Sequence, residues 1–196
     1  MGLNLVTPAS ENLITLAEAK KHLNVDDDFT DDDGYIALLI DAMTDKVESE
    51  TESRFITQTW DWYLDRFPSS AVMEVPYPPL QSVTSTTYLD GQGATQTFDS
   101  SYYSVDTYSA VGRIALDEGY SWPGTQSVIN AVTIQFICGY GDAADVPEGL
   151  KHALKLYLSM LYEYREPVVT GKIVTPIPVA VNTLIWDFKS KVLRFG

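Results

Sequence analysis

Hydrophobic spacing changes period twice along this 196-residue chain, and that double switch restricts the fold more than any single motif. Before residue 58 and after residue 139 the apolar residues recur at three- and four-residue intervals, the repeat of one helix face. Between those borders they alternate, the repeat of a half-buried strand. Thr15-Leu16-Ala17-Glu18 is a capping box, which starts a short helix reaching Leu23. Ile36, Leu39, Ile40, Met43 and Val47 then mark a helix of about twenty residues from near Asp33 to Arg54. Leu150, Leu154, Tyr157, Leu158 and Leu161 form the stripe of a third helix behind Pro147, ending near Glu166-Pro167. Pro178 opens a weaker fourth, to about Lys191. Between these halves lie six short strand patterns, around Trp60–Asp65, Val83–Leu89, Thr95–Phe98, Tyr102–Val105, Arg113–Leu116 and Val132–Cys138. Asp90-Gly91 supplies a turn, and Pro76, Pro78 and Pro79 mark edges. The expected fold is α+β. A helical domain of about four helices comes from both chain ends, 1–57 and 139–196. An antiparallel all-β domain, 58–138, a sandwich or small barrel, is inserted within it.

Charge follows the same borders. The chain holds 27 acidic and 13 basic side chains, a net charge of −14, distributed as −9, −6 and +1 over the three segments. So acidic a chain is unsuited to holding nucleic acid by phosphate neutralisation, although a duplex passing nearby is compatible with it. The 45% hydrophobic content excludes wholesale disorder. The longest uncharged stretch alternates and contains Pro123, so no membrane span is expected. The opening MGLNLVTPAS lacks the basic and apolar regions of a signal peptide, and Val6 stands where a myristoylation signal needs Ser or Thr.

Chemistry is scarce. With Cys138 alone, neither a disulfide framework nor a cysteine-rich zinc site can form, and its place on an alternating strand predicts burial. Asp26, Asp27, Asp28, Asp31, Asp32 and Asp33 invite a calcium reading. Aligning Gly34 with the EF-hand glycine, however, puts Phe29 and Ile40 at the two strongest ligand positions. Acidic residues ahead of a helix are favoured by its positive end anyway. His22 and His152 are the only histidines, and no nucleophile elbow, HExxH or phosphate loop is present. No catalytic residue, metal or cofactor is expected. The tyrosines of the middle segment suit half-buried strand positions or a binding platform.

Two surface features remain. Asp41, Asp45, Glu48 and Glu52 make a solvent-facing acidic stripe on the second helix. The last 25 residues hold Lys172, Lys189, Lys191 and Arg194 against Asp187, interspersed with Trp186, Phe188, Leu193 and Phe195. That end is either an ordinary last helix packing on its own domain or a docking peptide behind an extended linker, Val168 to Ile177.

The ordered succession of short motifs resembles the head–tail connector (adaptor) proteins of tailed bacteriophages. It runs from Ile14-Thr15-Leu16-Ala17-Glu18-Ala19-Lys20-Lys21-His22-Leu23 through Thr51-Glu52-Ser53-Arg54 and Ile56-Thr57-Gln58-Thr59-Trp60 to Pro78-Pro79-Leu80-Gln81-Ser82-Val83. It continues with Tyr88-Leu89-Asp90, Tyr103-Ser104-Val105-Asp106, Gly112-Arg113-Ile114, Ser121-Trp122-Pro123 and Cys138-Gly139-Tyr140-Gly141-Asp142. Val146-Pro147 and Tyr162-Glu163-Tyr164-Arg165-Glu166 complete it. Trp186-Asp187-Phe188-Lys189-Ser190-Lys191 departs from the pattern. The resemblance implies a structural virion protein, made in the host cytoplasm and located in the virion neck. It implies a homo-oligomeric ring of about twelve copies, closed by a repeated heterologous contact, with Tyr35 or the β insert contributing. The implied partners are the portal protein, a stopper or tail-completion protein, and double-stranded DNA passing through without specific binding. On this reading Asp41, Asp45, Glu48 and Glu52 face the channel, while Trp186, Phe188, Lys189, Lys191, Arg194 and Phe195 dock on the portal. The alternatives are a monomeric β-domain ligand- or carbohydrate-binding module, and an enzyme of unrecognised type using acids of the β insert.

Overall fold

The computed structural model describes residues 2–163, 168–169, 172–173 and 179–193. In chain order it contains β1 (Gly2–Thr7), α1 (Leu16–Leu23), α2 (Asp33–Thr51), β2 (Gln58–Leu64), β3 (Val72–Glu74), β4 (Leu80–Leu89) and β5 (Thr95–Thr97). A 3-10 turn at Ser100–Tyr102 leads to β6 (Tyr103–Asp106), β7 (Arg113–Leu116), β8 (Val132–Cys138) and α3 (Glu148–Glu163). The last elements are β9 (Val168–Val169), β10 (Lys172–Ile173) and α4 (Val179–Leu193). The fold is α+β, as the two periodicities require.

Local chemistry sets the helix ends. The Thr15 hydroxyl accepts from the Glu18 amide at 3.1 Å, and the Glu18 carboxylate accepts from the Thr15 amide at 2.8 Å. Asn24, at φ 55°, closes α1 in the left-handed region that asparagine tolerates. The helices enclose one core, in which Ile36, Ile40 and Val47 of α2 meet Leu150, Leu154 and Leu158 of α3 and Val181 and Ile185 of α4.

The strands enclose another. A five-stranded antiparallel sheet has the order β1-β2-β8-β4-β5, and a three-stranded one has the order β3-β7-β6. β8 is central, and Val132, Ile134, Phe136 and Cys138 are fully buried along one face. They share a cluster with Met73, Val75 and Ile114, so the two sheets pack face to face.

The structure departs from the sequence reading at β1. Residues 2–7, placed there with the helices, pair antiparallel with β2, Leu3 opposite Trp62 and Leu5 opposite Trp60. GLNLVT alternates only over Leu3-Asn4-Leu5, too briefly to stand out, and an edge strand, mostly exposed, needs no more. β3, at three residues, is too short to show a period. In the expected linker, β9 and β10 form a short antiparallel ladder, Val169 opposite Lys172; the rest of that segment lies outside the described residues.

Candidate functional site

The acidic run between α1 and α2 is organised by a lysine. Lys20 is only 3% exposed. Its ammonium donates to the carbonyls of Asp27 and Phe29, each at 2.8 Å, and to Asp33 Oδ1 at 2.9 Å. All three of its donors are used, as a buried cation requires. Asp32 accepts from the Tyr162 hydroxyl at 2.5 Å, which ties the loop to α3. Among the described residues no three His, Cys, Asp or Glu side chains converge as a metal site. Cys138 is buried beneath the sheet, and burial pushes its thiol up to about 12.

The acidic stripe divides. Asp41, Asp45 and Glu52 are exposed. Glu48 is not: it is 7% exposed, which corrects its place on a solvent face. The cause is the turn after α2, which folds back over the helix end. Glu48 Oε1 accepts from the buried Phe55 amide at 2.8 Å, and Oε2 lies 3.6 Å from Arg54 Nε. Burial pushes the Glu48 carboxyl above its ordinary value; the Phe55 amide and the Arg54 charge pull the other way without prevailing. The Arg54 guanidinium lies 3.6 Å from the Tyr77 ring centroid and 5.1 Å from that of Trp60.

This junction borders a cleft of about 1130 Å³. Leu3 and Leu5 of β1 and Trp60 and Trp62 of β2 form its floor. The end of α2 forms one wall, and residues 74–78 form the other. Sequence reading missed this site, because it is assembled from five separated segments. A sequence signal did exist in the paired tryptophans of β2.

A second feature is a rigid tip. Between β6 and β7 the Asp106 carboxylate accepts from the Ser109 hydroxyl, the Arg113 guanidinium and the amides of Tyr108 and Ser109. These bonds, led by Ser109, hold it well below the usual carboxylate range. Tyr108, on the same turn, is 99% exposed.

At the C-terminal end α4 packs on the helical core. Val181 and Ile185 are buried, Phe188 lies against the same cluster, and Lys189 Nζ is 3.3 Å from Glu50 Oε2. Trp186 is 61% exposed. The Lys191 side chain, Arg194 and Phe195 lie outside what the structure describes. Trp186, exposed beside the buried Ile185, is therefore a side chain through which docking can be tested without disturbing the helical core.

Comparison with known proteins bears on the whole arrangement. Residues 13–87 match the family model described as phage gp6-like head-tail connector protein. The resemblance is to head–tail connectors. That model ends within β4, whereas similarity of fold continues through the rest of the chain. A chain from the neck of an empty GTA particle computed with C6 symmetry superposes with a TM-score of 0.79 at 23% identity, over 96% of this chain and 95% of that one. A chain from the virion of the native gene transfer agent particle gives 0.77 at 22%, over 96% and 95%. One from the native neck computed with C12 symmetry gives 0.74 at 21%, over 96% and 94%. No curated protein sequence matches the chain.

Proposed function

We propose that this protein is a structural component of the neck of a phage-like particle, where copies assemble into a ring that joins capsid to tail. The observation carrying this reading is the agreement of fold along 96% of the chain with neck chains solved under sixfold and twelvefold symmetry. The family match over α1, α2 and the first strands of the sheets supports it. In this ring the helical part, built from both chain ends, packs beside the portal, and the inserted β part, with β1 added to it, projects from it. Copies number about twelve, in keeping with the twelvefold symmetry of one matched neck, and one heterologous contact repeated about an axis closes such a ring.

The exposed carboxylates Asp41, Asp45 and Glu52 then line or approach the channel, where like charge keeps the DNA backbone from adhering as it slides. Trp186 offers the portal a large exposed aromatic, the type of side chain that carries interface energy once buried. Mass measurement tests the assembly directly. The purified chain mixed with portal rings is expected to give a discrete complex carrying about one copy per portal subunit. A chain that stays monomeric with portal present overturns the proposal.

A further inference from the structure

The cleft at the junction is larger than a small ligand needs, and its chemistry is lopsided. We propose that it is a docking groove for an extended, lysine- or arginine-bearing segment of a second protein, which pairs with β1 as an added strand. The inference rests on the cleft alone and stands whether or not the chain forms a ring; an occupant takes Asp45 and Glu52 for the groove and leaves Asp41 to face the channel.

Three independent observations converge. β1 is the outermost strand of its sheet, so every second amide and carbonyl along it faces away from β2. Sheet edges are ordinarily protected by charge or proline. β1, Gly2-Leu3-Asn4-Leu5-Val6-Thr7, has neither, in a chain of net charge −14, and Leu5 and Val6 are 42% and 44% exposed. Its six residues offer a pairing edge of about 20 Å.

Charge supplies the second. Asp45, Glu48, Glu52 and Glu74 line the cleft against a single base, Arg54. Arg54 is already engaged by Glu48, Tyr77 and Trp60. Asp45, Glu52 and Glu74 have no ion-pair partner among the described residues, so the walls present three free negative charges to an occupant.

The third is an orphan donor. Trp62 lines the cleft floor, is 5% exposed, and its indole Nε1 is the one buried side-chain polar atom among the described residues without a hydrogen-bond partner. A buried donor left unpaired costs free energy that an acceptor brought by an occupant would recover. An extended chain along β1 places alternate side chains beside Leu3 and Leu5, on the face shared by Trp62, the cross-strand partner of Leu3, so that a side-chain acceptor carried there reaches the flank of the indole. The protein's own α4 does not supply this strand, because it is helical and its Val181, Ile185 and Phe188 pack on the helical core.

The test uses the full chain and a capped peptide, acetyl-Lys-Val-Lys-Ile-Lys-Val-amide, with a Glu-for-Lys counterpart as control. Nitrogen–proton spectra are expected to show saturable shifts at the amides of Leu3 to Val6 and at the Trp62 indole proton. The Glu peptide is expected to leave both unmoved. Asp45→Lys combined with Glu52→Lys, both at exposed positions, is expected to weaken binding about tenfold while leaving the spectrum of the β core intact. Three results each overturn the proposal: β1 amides that do not respond, equal binding of the Glu peptide, or affinity unchanged in the double variant. Protection of β1 that grows with protein concentration in the absence of peptide also overturns it, since the occupant is then a second copy.

Discussion

Removing the Glu48 carboxylate tests the junction most directly. In Glu48→Ala the buried amide of Phe55 loses its acceptor, and an unsatisfied buried donor costs about 1–3 kcal/mol. Arg54 also loses its counter-charge, and breaking a buried pair costs about 3–5 kcal/mol. The two losses overlap. Arg54 keeps its bond to the Ser53 carbonyl and its contacts with two rings, so the lower end applies. A total of ~3 kcal/mol follows, which for a chain of this size lowers Tm by about 6–12 °C. Glu48→Gln retains the acceptor and the shape, and is expected to lose ~1 kcal/mol. Urea titrations followed by tryptophan fluorescence measure both. A Glu48→Ala variant within 1 kcal/mol of wild type, or a Gln variant as weak as the Ala one, refutes the reasoning.

Acid adds a signed prediction from the same residue. Burial raises the Glu48 carboxyl in the folded state, so the folded chain holds that proton more tightly than the unfolded one. Its contribution to stability is therefore full below the ordinary carboxylate value and lost as pH rises through the folded value. Glu18, lowered chiefly by its bond to the Thr15 amide, behaves oppositely: its contribution is present at neutral pH and lost on acidification. Stability curves from pH 7 to 4 should thus fall more steeply for Glu48→Gln than for wild type; parallel curves contradict the assignment. Lys20→Met leaves two carbonyls and Asp33 without their donor and is expected to cost ~3 kcal/mol, with faster amide exchange over residues 26–33. Gly139→Ala forces φ 111° on a residue with a Cβ and brings that atom to 2.5 Å from the Ile56 carbonyl oxygen, so it should prevent stable folding, as circular dichroism would show. Trp186→Ala, exposed on α4, is expected to fold normally yet weaken attachment to portal-bearing capsids, read by co-sedimentation.

What could be read in the sequence was whatever repeats locally. The α2 stripe and the alternation of Val132, Ile134, Phe136 and Cys138 announce themselves because each buries one continuous face. The capping box at Thr15 is local too, and it stands as expected. β1 was illegible because its order comes from its partner, Trp60 to Tyr63, rather than from its own pattern. Glu48 sits on the helical spacing of an exposed stripe; only the turn that brings Phe55 and Arg54 back over it reveals its burial, and no periodicity encodes such a turn. The cleft was hidden for the same reason, since Leu5, Glu52, Trp60 and Tyr77 meet only in three dimensions.

The chain crosses between the helical and β cores three times, after β1, after α2 and after β8. At the last two crossings the strands are laced together. The Thr57 amide bonds to Gly141, Tyr140 to Phe55, Arg54 to Pro78 and Gly139 to Pro79, at 2.8–3.1 Å. Mechanically this is a splice rather than a hinge. Tension applied across it divides among three covalent paths, and twisting must shear several hydrogen bonds together instead of turning about one flexible linker. In a neck of the kind proposed, load along the particle axis would be shared by the whole splice, and the two cores would move as one piece.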